Sequence, residues 1–220
     1  LLEEPSIIQD IHETYIAAGA DLVTTSSYQA TLPGLQEAGL SEAEARAIIA
    51  QTVALAKDAR DKAWQSLSED EKSKRPYPLI SGDVGPYAAY LANGSEYTGD
   101  YGKISKEELK DFHRPRIAIL LKQGVDLLAL ETIPNALEAE ALVELLAEEF
   151  PQVEAYISFT IQESSSISDG TSLEAMVELV DTSKQILALG INCSSPLLFD
   201  AALEKLASLT NKYLVTYPNS

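Results

Sequence analysis

The sequence contains one cysteine, Cys193, among 220 residues, so a disulfide bond within the chain is excluded. This usage is typical of a reducing compartment, and we therefore expect a cytoplasmic protein. Long apolar runs are missing too, since none approaches the roughly 18 residues that cross a bilayer. The chain also opens on LLEEPS, without a basic and then apolar leader. The sequence thus predicts no membrane segment, and the abrupt opening suggests a chain cut from a longer one.

Basic residues are scarce, with 16 lysines and arginines against 34 aspartates and glutamates and a net charge of −18. Nucleic-acid affinity comes mainly from clustered basic side chains, so this balance argues against a nucleic-acid partner. It suits small cationic or zwitterionic ligands, although an acidic surface can also serve solubility alone.

Several catalytic and nucleotide-binding motifs are absent. The sequence has no Walker-type loop, no glycine-rich turn of the dinucleotide-binding kind and no G-x-S-x-G elbow. His12 and His113 fall inside helical patterns rather than at strand ends, so no Ser-His-Asp triad can be argued. We interpret both as ordinary helix-surface histidines.

The apolar pattern alternates between helix and strand along the whole chain. Helix starts are predicted at Pro134 and at three capping boxes, Ser41 with Glu44, Ser105 with Glu108, and Thr171 with Glu174. Six strands are predicted, over residues 21–27, 79–84, 126–132, 154–160, 187–191 and 213–217. This order predicts an α/β fold with a parallel sheet, and the even composition predicts a single domain over residues 1–220.

Nearly every predicted strand has polar side chains at or just after its C-terminal end: Thr25, Ser26, Ser27, Asp83, Glu131, Thr132, Thr160, Asn192, Cys193 and Asn219. A (β/α)8 TIM barrel draws its functional groups from the C-terminal ends of nearly all its strands, which favours that fold over a doubly wound sheet. Because a barrel needs eight strands, one strand is expected before Leu1 and another after Ser220.

Three of these side chains could carry chemistry, and each has a second interpretation. Cys193 falls at a strand-to-helix junction, where functional groups concentrate, yet a lone cysteine often acts as a small buried hydrophobe. Glu131 directly follows the apolar run of residues 127–130 at the rim of a buried strand, where its charge needs a positive partner. Either a ligand or the helix N-terminus at Pro134 would supply one. Asp83 either faces a ligand or hydrogen-bonds its own turn.

A tyrosine-rich loop over residues 85–102 is long for a connection between a strand and a helix. It carries Tyr87, Tyr90, Tyr97 and Tyr101. Tyrosine faces suit a cationic ligand, which predicts a binding element. The alternative is a surface loop whose rings pack on one another.

Four segments in order resemble the homocysteine S-methyltransferase family, especially the branch that uses S-methylmethionine or S-adenosylmethionine: HETYIAAGADLVTTSSYQAT, SGDVGPYAAYLANGSEYTGDYG, HRPRIAILLKQGVDLLALETIPNALEAEAL and GINCSSP. The resemblance covers almost the whole chain. It implies an enzyme that moves a methyl group from one of those donors to the thiol of L-homocysteine, giving methionine. It also implies a homocysteine-binding (β/α)8 barrel, truncated at both ends, since the Asp-Gly-Gly motif of the family's first strand and its late paired-cysteine motif are absent.

The resemblance further implies a zinc ion held by three cysteines at the mouth of the barrel, with Cys193 matching the first of them. Zinc bound there would keep the substrate thiol deprotonated. The residues implied near homocysteine are Glu131, Asp83, Thr25, Ser26, Ser27 and Asn192. Among them, Glu131 would bind the amino group. Ser26, Ser27 and Tyr28 stand where many relatives have Asn-Thr-Phe.

Two rival hypotheses stay open. One is a catalytically silent amino-acid-binding barrel fragment, because a single cysteine cannot make a three-thiolate zinc site. The other is a metal-independent barrel lyase that uses Glu131 and Asp83 as acid and base. The sequence leaves the oligomeric state open, with a monomer slightly favoured.

Overall fold

The computed structural model describes residue 1 and residues 3–219. Ten α-helices lie in this part of the chain: α1 (Pro5–Ala17), α2 (Leu32–Glu37), α3 (Glu42–Ser66), α4 (Glu69–Lys72), α5 (Tyr87–Leu91), α6 (Ser95–Thr98), α7 (Lys106–Lys122), α8 (Ala136–Glu149), α9 (Leu173–Asp181) and α10 (Phe199–Leu209). The eight strands found there are β1 (Leu22–Thr24), β2 (Leu79–Val84), β3 (Leu127–Ile133), β4 (Ala155–Phe159), β5 (Ile161–Glu163), β6 (Ser166–Ile167), β7 (Ile186–Asn192) and β8 (Tyr213–Tyr217). None of the helices described is both long and apolar enough to span a membrane.

The chain forms two compact units. Unit 1 comprises Leu1–Asp83 and Pro115–Leu127, and unit 2 comprises Val84–Arg114 and Leu128–Ser220. In unit 1, β1 and β2 pair in parallel, with Val23 opposite Ile80. Helices α1 and α3 pack together beside this pair, so that Ile16, Val23 and Ile80 share one buried cluster with alanines of α3.

Unit 2 contains a parallel sheet in the order β3, β4, β7, β8, with a small antiparallel hairpin formed by β5 and β6. Central pairs such as Ile157 with Leu189 are completely buried, while β8 is largely exposed. Helices α8, α9 and α10 each follow a strand, which is the alternation that parallel connections require. The α/β class predicted from the sequence is confirmed.

The predicted element bounds agree with the structure where caps and apolar patterns are strong. Strands β2 and β8 have their predicted limits, and Ser41 and Ser105 cap their helices in reciprocal bonds with Glu44 and Glu108. The burial predicted for residues 187–191 on both faces is only partly right, because Leu187 at the start of β7 is 40% exposed. Helix α10 likewise begins after a 3-10 turn at Pro196–Leu198.

Two predicted helix starts are wrong, because a neighbouring side chain offers a better cap. Ser172, not Thr171, accepts the backbone N–H of Ala175, so α9 begins at Leu173. Asn135 accepts the N–H of Glu138, which places Pro134 before α8 rather than in its first turn. Short polar side chains at the N-cap position satisfy backbone donors that the helix itself leaves unpaired.

His12 was predicted at the helix surface, but this prediction is wrong. The residue is buried on α1, with 7% of its surface exposed. Its Nε2 atom has no hydrogen-bond partner among the described residues. Burial lowers the pKa of His12, because the charged imidazolium is the form that desolvation penalises. The ring therefore packs in unit 1 as a neutral side chain.

Gly190 permits the close approach of β7 and β8. A Cβ atom at this position would lie 1.7 Å from the Val215 carbonyl oxygen of the partner strand. We expect Gly190→Ala to lower the free energy of unfolding by about 2–3 kcal/mol, because backbone must move to admit the methyl group. Chemical denaturation measures this difference. Gly39→Ala, where the added methyl meets open space, is the control and should cost about 1 kcal/mol from its left-handed backbone alone; equal losses in both variants would contradict the steric argument.

Candidate active site

A buried side-chain pair joins the ends of β3 and β7 in unit 2. The Asn192 Oδ1 atom accepts the Thr132 backbone N–H at 3.1 Å, and its Nδ2 atom donates to Thr132 Oγ1 at 2.8 Å. Asn192 is fully buried and Thr132 is 4% exposed. We call this reciprocal pair the Asn192–Thr132 clasp.

The clasp places polar groups against the sulfur of Cys193. Asn192 Nδ2 lies 3.4 Å from the Cys193 Sγ atom, and Thr132 Oγ1 lies 3.9 Å from it. Cys193 itself is half-buried. Donors aimed at sulfur stabilise a developing negative charge on it, so these surroundings suit a thiolate better than a small hydrophobe.

The backbone at this place is held in an unusual conformation. Thr132 has φ +67° and Cys193 has φ +44°, both in the left-handed region that glycine favours. Each such residue costs on the order of 1–3 kcal/mol, and residues of this kind cluster at functional sites. Because the clasp bonds both the backbone and the side chain of Thr132, it holds this conformation in place.

Glu131, next to Thr132, is half-buried at the end of β3. Its Oε2 atom accepts the Tyr217 hydroxyl at 2.6 Å, and the same hydroxyl lies 2.9 Å from Ser158 Oγ. Burial is the first cause that raises the pKa of Tyr217 far above its ordinary range, and the Glu131 charge adds to it. Tyr217 is therefore a phenol at every physiological pH.

The alternative partner proposed for Glu131 is the helix N-terminus at Pro134. The first N–H groups of α8 are taken by other side chains, because Ala136 N–H donates to Asp169 Oδ2 at 2.7 Å and Glu138 N–H donates to Asn135. The residue that sequence reasoning missed at Glu131 is Tyr217, which lies 86 positions away.

In unit 1, two hydroxyls bind the backbone of Asp83 at the end of β2. Thr25 Oγ1 accepts the Asp83 N–H at 2.9 Å, and Ser27 Oγ donates to the Asp83 carbonyl at 2.7 Å. The two hydroxyls lie 2.8 Å apart, so Thr25 is the donor between them. Arg116 donates to the Tyr28 carbonyl at 2.8 Å and so fixes the backbone just after Ser27. Thr25 and Ser27 thus act on the position of Asp83, which is 5% exposed.

Ser26 differs from its neighbours, because its hydroxyl is buried and has no hydrogen-bond partner among the described residues. It borders a cavity of about 840 Å³ in unit 1, together with Tyr28 and Gln29. A buried hydroxyl without a protein partner can make a hydrogen bond with a polar ligand.

The tyrosine-rich loop packs mainly on itself and on α7. Tyr87 makes ring contacts with Tyr90, Tyr101 and Phe112 at centroid distances of 5.0–5.6 Å. Tyr97 is the exception, with 56% of its surface exposed. Three of the four tyrosines therefore follow the packing alternative rather than the binding one.

A buried carboxylate anchors this loop, and sequence reasoning missed it. Glu138 is fully buried on α8. Its carboxylate accepts the Tyr87 N–H at 2.6 Å and the Tyr101 hydroxyl at 2.5 Å. It also makes a hydrogen bond of 2.8 Å with His113 Nε2. His113 is completely buried too, so its assignment to the helix surface is wrong. The signal in the sequence is that Glu138 occupies the apolar face of α8, four residues before Leu142.

A family model described as Homocysteine S-methyltransferase matches residues 1–220. The chain belongs to the homocysteine S-methyltransferase family. It is 45% identical to Homocysteine S-methyltransferase 1 of Brassica oleracea var. italica and 47% identical to Homocysteine S-methyltransferase YbgG of Bacillus subtilis (strain 168). Each alignment takes in 100% of this chain, and 68% and 69% of the respective relative. Membership confirms the predicted family and the prediction of a methyltransferase enzyme.

The metallated form of the homocysteine methyltransferase MmuM from Escherichia coli has the same fold as this chain. The two share 46% sequence identity and a TM-score of 0.92, over 99% of this chain and 73% of the Escherichia coli chain. The oxidised form of that enzyme gives a TM-score of 0.93.

The residues described here do not by themselves complete the metal site expected of the homocysteine S-methyltransferase family. Across residue 1 and residues 3–219, no group of three His, Cys, Asp or Glu side chains is placed to hold a metal ion. Cys193 is the one thiol of the sequence. This chain can therefore offer a single thiolate to a metal.

Proposed function

We propose that this chain transfers a methyl group from a sulfonium donor, S-methylmethionine or S-adenosylmethionine, to the thiol of L-homocysteine in the cytoplasm. The new bond joins the homocysteine sulfur to the methyl carbon as the carbon–sulfonium bond breaks. The donor leaves as a neutral thioether, and the thiol proton passes to solvent. Family membership supports this reaction, and the polar surroundings of Cys193 are the observation that carries it to this chain.

Glu131 is proposed to bind the homocysteine ammonium group. A carboxylate held at a strand end by the Tyr217 hydroxyl is an oriented anion, and an ammonium group is its natural partner. The family resemblance alone supports the assignment of Asp83, Thr25, Ser26, Ser27 and Asn192 to the neighbourhood of the substrate. For Thr25, Ser27 and Asn192, the bonds described above make indirect roles the better proposal.

Cys193 is proposed to be one ligand of a zinc ion, with the other ligands supplied from outside the 220 residues. Bound zinc would keep the homocysteine sulfur deprotonated at neutral pH, where a free thiol with a pKa near roughly 8.5 is mostly protonated. The clasp orients the Cys193 sulfur for that role. By the same resemblance, we propose that the parallel strands belong to a (β/α)8 barrel completed by strands outside this chain.

Removal of the metal is expected to abolish methyl transfer. The full-length protein would be dialysed against a strong chelator, and methionine formation from homocysteine and each donor would be measured before and after. Activity should fall at least about a hundredfold and return with Zn²⁺ but not with Mg²⁺, because thiolates select zinc.

Two other outcomes would contradict parts of this proposal. Full activity after complete metal removal, checked by elemental analysis, would contradict the zinc proposal. Homocysteine binding without methyl transfer from either donor would support a silent amino-acid-binding protein, the function favoured by the single cysteine.

A further inference from the structure

We infer that Tyr217 is a positioning residue that fixes the Glu131 carboxylate relative to the Cys193 turn, so that homocysteine is held by its ammonium group and its sulfur together. The inference rests on the proposed function and deepens it. Tyr217 is the last residue of β8 and belongs to none of the motifs by which the sequence resembles the family.

The side chain of Tyr217 makes a hydrogen-bond chain of fixed direction. A phenol has one proton, and Tyr217 gives it to Glu131 Oε2 at 2.6 Å. In the 2.9 Å contact with Ser158 Oγ, serine must then be the donor. The order Ser158 to Tyr217 to Glu131 ends on a charged acceptor, and bonds to ionised acceptors are the strong ones.

These hydrogen bonds exclude the opposite direction, in which the Tyr217 hydroxyl would donate to Ser158. Ser158 is fully buried on β4, so its proton needs an acceptor inside the protein, and the Tyr217 oxygen supplies one. Glu131 consequently receives the proton of the Tyr217 hydroxyl in this hydrogen bond.

The backbone of the same residue holds the cysteine turn. The Tyr217 carbonyl accepts the Cys193 N–H at 3.1 Å, and Tyr217 lies opposite Asn192 in the β7–β8 register. Cys193 has a left-handed backbone, which persists only when its surroundings fix it. One residue thus contacts the carboxylate proposed for the ammonium group and the turn proposed for the sulfur.

The test is Tyr217→Phe in the full-length protein, with KM and kcat measured for homocysteine and for the methyl donor separately. Phenylalanine keeps the ring and the backbone bond but removes the phenol. We expect the homocysteine KM to rise about 10–30-fold, because one hydrogen bond to the charged Glu131 carboxylate is lost. The expected kcat stays within about threefold, and the donor KM and the zinc content stay unchanged, because Cys193 keeps its backbone contact.

Two further variants keep the result interpretable. Tyr213→Phe, at a residue 81% exposed on the same strand, should leave every constant unchanged. Ser158→Ala removes the donor to Tyr217 alone and should raise the homocysteine KM by about 2–5-fold, a smaller shift in the same direction. Circular dichroism and thermal melts check that the variants fold.

An active wild-type protein whose homocysteine KM is the same in Tyr217→Phe would overturn the inference and leave the proposed function standing. Equal rises in the KM of homocysteine and of the donor would also overturn it, since they would indicate a general loosening of the fold. A wild-type protein that transfers no methyl group from either donor would overturn the proposed function itself, and the inference with it.

Discussion

Replacing Cys193 with serine is expected to lower methyl transfer to homocysteine at least about a thousandfold, because a serine hydroxyl neither ionises near neutral pH nor binds zinc as a thiolate does. The change is close to isosteric. The clasp bonds Thr132 through Asn192 rather than through the sulfur, so the local backbone should persist. The loss is therefore expected in activity and metal content rather than in stability.

The measurements are the rate of methionine formation, the zinc content and the unfolding midpoint of the full-length variant. Ser195→Ala, at an exposed hydroxyl two positions further on that makes no capping bond, is the matched control and should behave as wild type. Retention of both zinc and activity in Cys193→Ser would contradict a role for this thiol. Loss of activity with normal zinc content would move the role of Cys193 from the metal to the substrate.

The fold was predictable wherever a local pattern decides the structure. Strands β2 and β8 follow from short apolar runs bounded by polar residues, and the caps at Ser41 and Ser105 follow from a spacing of three residues. Helix α4 was missed, because residues 68–78 were interpreted as a charged, proline-broken loop, although Ser68 and Glu71 form another capping box. Local bonds of this kind lie within four residues and are written directly in the sequence.

The site was predictable only in part, because its geometry depends on contacts between distant residues. Glu131, Asn192 and Cys193 could be selected as polar groups at strand ends, yet the left-handed backbone of Thr132 has no signature in a sequence that places no glycine there. The backbone N–H of Thr132 donates to Asn192, which lies 60 positions further along the chain. A β-branched residue in this conformation is explained by its tertiary partner and not by its propensity.

Buried polar residues were the hardest to assign. His113 was predicted at the helix surface, and the charge of Glu138 argues against burial although the residue lies on the apolar face of α8, since charged residues are rarely buried completely. Their mutual bond and the two tyrosine contacts of Glu138 satisfy the carboxylate, which makes its burial tolerable. Only the packing of α7 against α8 shows that the two positions face each other.

Glu131→Gln is expected to lower kcat/KM for homocysteine several hundredfold, because the ion pair with the substrate ammonium would lose one charge. This factor corresponds to about 3–4 kcal/mol of transition-state stabilisation. Glutamine has nearly the same shape and can still accept the Tyr217 hydroxyl, so the change removes charge rather than packing. The effect should therefore exceed that of Tyr217→Phe, which leaves the carboxylate charged.

Steady-state kinetics with homocysteine varied at saturating donor give the test, and Glu154→Gln is the matched control. Glu154 is an exposed carboxylate just before β4, at the opposite end of the strand from the Ser158 contact, so its neutralisation changes net charge equally without touching the site. If both variants lowered kcat/KM alike, the effect would be the general field of an acidic protein, which salt would screen. A loss confined to Glu131→Gln and insensitive to salt would instead require a direct partner for that carboxylate, and the substrate ammonium is the group that fits.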